Sequence, residues 1–180
     1  MINGLLYRLL YICLICSTIV CCAQNNNQKQ LIMLKIGDKA PSINSVDENG
    51  DVITLDQFKG KKVVLYFYPK DMTPGCTMQS CNLRDNYQQL LDNGYVVLGC
   101  SADSPAKHQK FIEKYNLPFP LISDENKAVL NAYGVWGPKK FMGREYMGIS
   151  RTTFVIDEDG IIIDIITKVK TKDHTKQILK

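Results

Sequence analysis

The sequence predicts an α/β fold, a central mixed β-sheet flanked by helices, over residues 34–180. Three observations predict it. Residues 63–68 and 95–100 are β-branched and aromatic runs without polar alternation, the pattern of strands covered on both faces. Between them, 73–91 reads as a helix stopped by Gly94. Late in the chain, 152–156 and 161–167, joined by a turn at 157–160, read as a β-hairpin, which makes the sheet mixed rather than wholly parallel.

The remaining elements follow in order. A turn at 47–50 precedes a short strand at 52–55. Pro69 ends the first buried strand because it has no N–H to give a ladder. Ser104 and Pro105 are the N-cap and first position of a helix running to about Tyr115. Leu121 and Ile122 are extended, 126–133 is a short helix, 134–148 is a flexible Gly/Pro-containing loop, and the tail from Thr171 is helical. No internal repeat and no second domain is legible.

The net charge of +4 is modest and the lysines are scattered, which argues against the concentrated basic face of a nucleic-acid binder. Four of the seven cysteines (Cys13, Cys16, Cys21, Cys22) fall in the first 22 residues, leaving Cys76, Cys81 and Cys100. A disulfide-stapled scaffold distributes its cysteines through the fold, so structural disulfides explain this pattern poorly.

Residues 1–23 have the parts of an export signal: Arg8 as the early charge, an apolar stretch over 9–20, and small residues before a polar linker at 24–33. Cleavage after Ala23, lipidation at Cys22 and an uncleaved membrane anchor are the alternatives. The exported protein would be periplasmic or lipid-anchored at the envelope. A translation start at Met33 would instead leave it cytoplasmic. Cys13-x-x-Cys16 lies inside the apolar run and lacks the second ligand pair of a zinc site.

The sharpest local pattern is Thr73-Pro74-Gly75-Cys76 directly after a buried strand. Thr73 suits an N-cap and Pro74 the first helical position, which puts Cys76 in the first turn among unpaired N–H groups. Such positions favour thiolate, the nucleophilic form of cysteine. The Thr73 hydroxyl would donate to the sulfur or to an attacking oxygen, and Gly75 offers bare backbone beside it.

Cys81 lies five residues further along the same helix, so the two Cα atoms are roughly 8–9 Å apart. A disulfide needs about 4.4–6.8 Å. The pair can bond only if the first turn and a half unwinds. This fits a two-step reaction: Cys76 attacks a peroxide and becomes a sulfenic acid, then Cys81 condenses with it, and an external dithiol protein restores both thiols. The alternative for Cys81 is a core-facing cysteine without a redox role. Arg151, at the entrance to the 152–156 strand, would bring a guanidinium to the helix start; Arg84, on the cysteines' own helix, is its rival.

These residues resemble the peroxiredoxins, specifically the Q-type or bacterioferritin-comigratory-protein group. The likeness covers about Leu34 to the C-terminus. It is carried by Leu34-Lys35-Ile36-Gly37-Asp38-Lys39-Ala40-Pro41, by Phe67-Tyr68-Pro69-Lys70-Asp71-Met72-Thr73-Pro74-Gly75-Cys76-Thr77 and by Cys81-Asn82-Leu83-Arg84-Asp85. Tyr133-Gly134-Val135-Trp136-Gly137 and Gly148–Asp157 resemble two later signatures. The resemblance implies a thioredoxin-like fold and a thioredoxin-dependent peroxidase with no metal or organic cofactor. In that pattern Cys76 is peroxidatic and Cys81 resolving, Arg151 is the catalytic arginine, Pro69 shields the site and Thr73 binds peroxide. It also implies a monomer.

Two features depart from the pattern. The apparent export signal puts cytosolic thioredoxin out of reach and leaves a thioredoxin-like reductant to be named. Cys100 stands where an aliphatic residue is usual, and reads as core or as an alternative resolving thiol. Competing functions are a thiol–disulfide oxidoreductase, disfavoured because Thr73 replaces the first cysteine of a Cys-x-x-Cys, and a redox sensor or chaperone on the same fold.

Overall fold

The computed structural model of the protein describes residues 33–180. The export segment expected at 1–23, and the linker up to residue 32, lie outside the described residues. Strands β1 (Asn44–Val46) and β2 (Val52–Thr54) form a hairpin over the Asp47–Gly50 turn, followed by a 3-10 turn at Leu55–Phe58. Then come β3 (Lys62–Phe67), α1 (Pro74–Asp85), α2 (Tyr87–Asp92), β4 (Tyr95–Ser101), α3 (Pro105–Tyr115), β5 (Leu121–Ser123) and α4 (Ala128–Ala132). The chain continues through β6 (Trp136–Phe141), β7 (Arg144–Ile149), β8 (Thr152–Ile156), β9 (Ile162–Ile166) and α5 (His174–Ile178).

Seven strands make one mixed sheet in the order β2-β1-β5-β4-β3-β8-β9. β3, β4 and β5 are parallel at its centre, and β8 and β9 add antiparallel at one side. The alternation of β3 divides the core. Val64, Tyr66 and Tyr68 face a cluster with Cys76, Leu83, Leu90, Phe111 and Ile178, so α1, α2, α3 and α5 cover that side. Val63, Leu65 and Phe67 face the other, with Cys100, Leu130, Tyr133 and Phe154. Every side chain from Val63 to Tyr68 is 2% exposed or less, the reason this run reads as continuously apolar. Burying each such side chain stabilises the fold by about 1.5–3 kcal/mol.

Two expectations are corrected. The 73–91 helix breaks at Asn86, whose side-chain Nδ2 donates to the Asn82 carbonyl at 2.8 Å while its own N–H turns to Arg84. The amide side chain takes the carbonyl that the next helical N–H would have used. The expected flexible loop at 134–148 is instead an antiparallel hairpin, β6 with β7, turning through Met142 and Gly143, both at positive φ. That is the backbone of a tight two-residue hairpin turn. Pro138 and the paired Gly137 and Gly148 conceal it in the sequence. Three-residue β1 carries too little apolar pattern to be seen, and α4 and α5 are shorter than expected.

Candidate active site

The loop from β3 to α1 is built from below. Asp71 is 5% exposed and accepts the Tyr68 hydroxyl at 2.7 Å on one oxygen, while its other oxygen lies 2.8 Å from Nδ1 of His108 on α3. Its N–H donates to Asp103 at 2.9 Å. Burial, with Tyr66 and Asp71 alongside, raises the Tyr68 phenol well above its ordinary value and keeps it a donor. This pins a turn that contains Met72 at φ 61. Asp71, Asp103 and His108 escaped the sequence reading. The available signal was a histidine three residues before Phe111, on the buried face of the 105–115 helix.

Above that base, Thr73 has extended backbone and its carbonyl accepts the first helical bond, from Thr77 at 2.9 Å. Thr73 thus holds the expected N-cap position, but its hydroxyl donates to the Lys70 carbonyl at 3.0 Å, so it makes no side-chain capping bond and its proton does not go to the sulfur as expected. Pro74 takes the first helical position. Pro69 is exposed at the end of β3. Cys76 sits in the first turn of α1, 1% exposed.

Arg151 reaches this turn. Its Nη2 donates to Sγ of Cys76 at 3.3 Å, and its Nη1 donates to Oε1 of Gln79. Gly75 leaves the approach open: a Cβ there would stand 3.4 Å from Nη2 of Arg151. The guanidinium and the free N–H groups of the helix start bring positive charge to one sulfur. Arg84 does not share the site; it is bound to Asp85 at 2.7 Å and to the Tyr115 carbonyl at 2.6 Å.

Cys81 is half-buried on the same unbroken helix, and Cys76, Cys81 and Cys100 are all free thiols. Cys100 lies on the opposite face of the sheet from Cys76, and burial raises its pKa well above the ordinary thiol value. Both facts favour the core reading over an alternative resolving thiol. Gln79 and His174 were also missed. A glutamine inside a helix and a histidine in a polar tail carry no signal until the fold joins them, with Nε2 of Gln79 3.2 Å from Nδ1 of His174.

The pattern of the AhpC/TSA family matches residues 36–165. The chain belongs to this family. It is 47% identical to Peroxiredoxin Bcp of Bacillus subtilis (strain 168) over 147 residues, covering 82% of this chain and 94% of the relative. It is 48% identical to Peroxiredoxin Bcp of Escherichia coli (strain K12), covering 81% and 94%. Among solved structures it is similar to a cysteine-to-serine mutant of Xylella fastidiosa PrxQ, with a TM-score of 0.76, 30% identity and coverage of 81% and 93%. It is also similar to the Xanthomonas campestris bacterioferritin comigratory protein, a structure tied to alkyl peroxide reduction, with a TM-score of 0.71, 33% identity and coverage of 76% and 87%. The fold is the thioredoxin-like fold of the peroxiredoxins, and the protein is a thiol-dependent peroxidase.

Proposed function

We propose that Cys76 attacks the peroxide, that Cys81 resolves the product, and that a thioredoxin-like dithiol protein regenerates both. The observation that carries this reading is Nη2 of Arg151 on Sγ of Cys76 in the first turn of α1. The Cys76 thiolate attacks the distal oxygen of a hydroperoxide, the O–O bond breaks, and the leaving oxygen takes up a proton as water or alcohol. Arg151 holds the sulfur and stabilises charge growing on the leaving oxygen. Thr73, its proton given to Lys70, offers oxygen lone pairs to the peroxide O–H. Pro69 shields the site. The Cys81 thiolate then attacks sulfenic Sγ, hydroxide leaves as water, and exchange with a dithiol returns both thiols. Hydrogen peroxide and organic hydroperoxides are the substrate class, and alkyl peroxide reduction by the Xanthomonas relative supports the organic ones.

Cys76→Ser should abolish peroxide consumption, and unchanged activity would refute the assignment. Cys81→Ser should react once and then fail to cycle with thioredoxin; normal cycling would remove Cys81 from its role.

The protein works as a monomer, directed by its first 23 residues to the periplasm or to a lipid-anchored place at the envelope. Support comes from the charged start, apolar run and small residues of that segment. Mass spectrometry of the native N-terminus from separated cell fractions tests it. A start at Met33 in the cytoplasm would overturn it, and a lipid on Cys22 would select the anchored form.

A further inference from the structure

His174 and the tail around it are tied to the part of α1 that carries the reactive thiols. Gln79 is buried one turn beyond Cys76, and its amide faces two ways. Oε1 accepts from Arg151, whose guanidinium can only donate, so Nε2 is the atom that faces His174. Nδ1 of His174 is therefore the acceptor, and its ring proton lies on Nε2, 3.0 Å from Oγ1 of Thr153. Thr153 is fully buried on β8 opposite Tyr66, a rigid footing. One line of hydrogen bonds results: Arg151 donates both to the sulfur and to Gln79, Gln79 donates to His174, and His174 donates to Thr153.

The neutral ring is the form this line requires, since a proton on Nδ1 would set donor against donor at Gln79. Burial, with Arg151 adding to it, lowers the His174 pKa to about 4. Tyr66 also faces the ring, with ring centroids 6.4 Å apart.

The tail also holds α1 one turn further on. Asn82 Nδ2 donates to the Lys172 carbonyl at 2.8 Å, and its Oδ1 accepts the Thr175 N–H at 2.9 Å. Ile178 is buried in the same apolar cluster as Cys76 and Leu83. These ties fall on residues 79 and 82, in and beside the stretch that must unwind before Cys81 reaches Cys76.

We propose that His174 is a positioning residue for peroxide reduction, fixing Arg151 on Cys76 through Gln79, and that the tail from Lys168 to Lys180 keeps α1 wound until Cys81 resolves. This rests on the roles given above to Cys76 and Cys81. Its signature is opposition between the two steps: a contact that helps the attack hinders the unwinding. Loss of one such hydrogen bond corresponds to about a two- to ten-fold change in rate.

The test is single-turnover oxidation of the full chain by hydrogen peroxide. Quenched samples are read by mass spectrometry for trapped Cys76 sulfenic acid and for the Cys76–Cys81 disulfide. His174→Ala should slow sulfenic acid formation by about three- to ten-fold and speed its conversion to disulfide by a similar factor. His174→Asn, which puts an acceptor oxygen near the place of Nδ1, should recover the first step. Lys176→Ala, on the exposed side of α5 with its side chain 85% accessible, should alter neither. In the wild type, which raises no question of folding, hydrogen exchange in the tail should rise with that of 76–82 when the disulfide forms. The proposal is overturned if His174→Ala matches the wild type in both steps, if both steps fall together without recovery in His174→Asn, or if the tail stays protected in the disulfide form. A wild type that never oxidises Cys76 would instead sink the functional reading on which it rests.

Discussion

Nη2 of Arg151 donates to Sγ of Cys76 at 3.3 Å across 75 positions of sequence. Sheet register brings them together. Phe67, the last residue of β3, pairs with Thr152, the first of β8, so Arg151 lies just past the end of β3 where the chain turns into α1. A buried antiparallel pairing resists slippage, because a shift of one residue would turn every β8 side chain to the wrong face. The cation is therefore positioned by the core of the protein rather than by a loop.

That geometry makes Arg151→Lys a severe change despite the conserved charge. An ammonium on a flexible stem lacks the planar fork that reaches Gln79 and Sγ at once. The rate of Cys76 oxidation by hydrogen peroxide should fall on the order of 100-fold, as when one donor to a developing oxyanion is lost. Stopped-flow measurement of that step decides it; a loss smaller than threefold would remove Arg151 from the chemistry.

Gly75 governs the second step. It stands in the first turn of α1 at a place that must unwind, and glycine there weakens the helix by about 0.5–1 kcal/mol relative to alanine. Gly75→Ala should slow disulfide formation from the sulfenic acid by about two- to five-fold. The added methyl, 3.4 Å from Nη2 of Arg151, should disturb the first step less. Resolution as fast as in the wild type would mean that unwinding does not limit this step.

The sheet and its reactive turn were legible because each rests on neighbouring residues. The run at 63–68 is apolar because both faces are covered, and Thr73-Pro74-Gly75-Cys76 follows the rules of a helix start. What stayed hidden depends on contacts distant in sequence. Nothing local joins Gln79 to His174 across 95 residues, or Asp71 to His108 across 37. Asn86 was missed for another reason: an asparagine breaks a helix only where its side chain finds a carbonyl, as here at Asn82. The β6–β7 hairpin hid behind a proline and two glycines that usually mark loops.

His174 gives the fold a specific sensitivity to acid. In the folded state its pKa is lowered to about 4, by burial first and by Arg151 second, against an ordinary value of 6.5. Above pH 6.5 the ring is neutral in both folded and unfolded chains and stability does not depend on it. As pH falls from 6.5 towards 4, the unfolded chain takes up a proton that the folded chain refuses, so stability declines. Over that window the loss is on the order of 3 kcal/mol. Urea unfolding of the reduced protein at pH 7 and pH 4 should reveal it against His174→Asn, which has no ring to protonate. The variant starts less stable at neutral pH but should lose distinctly less on acidification, while the carboxylates common to both proteins cancel from the comparison. Equal losses in the two proteins would show that His174 takes up its proton without leaving the fold, and that the line from Thr153 to Arg151 tolerates a charged ring.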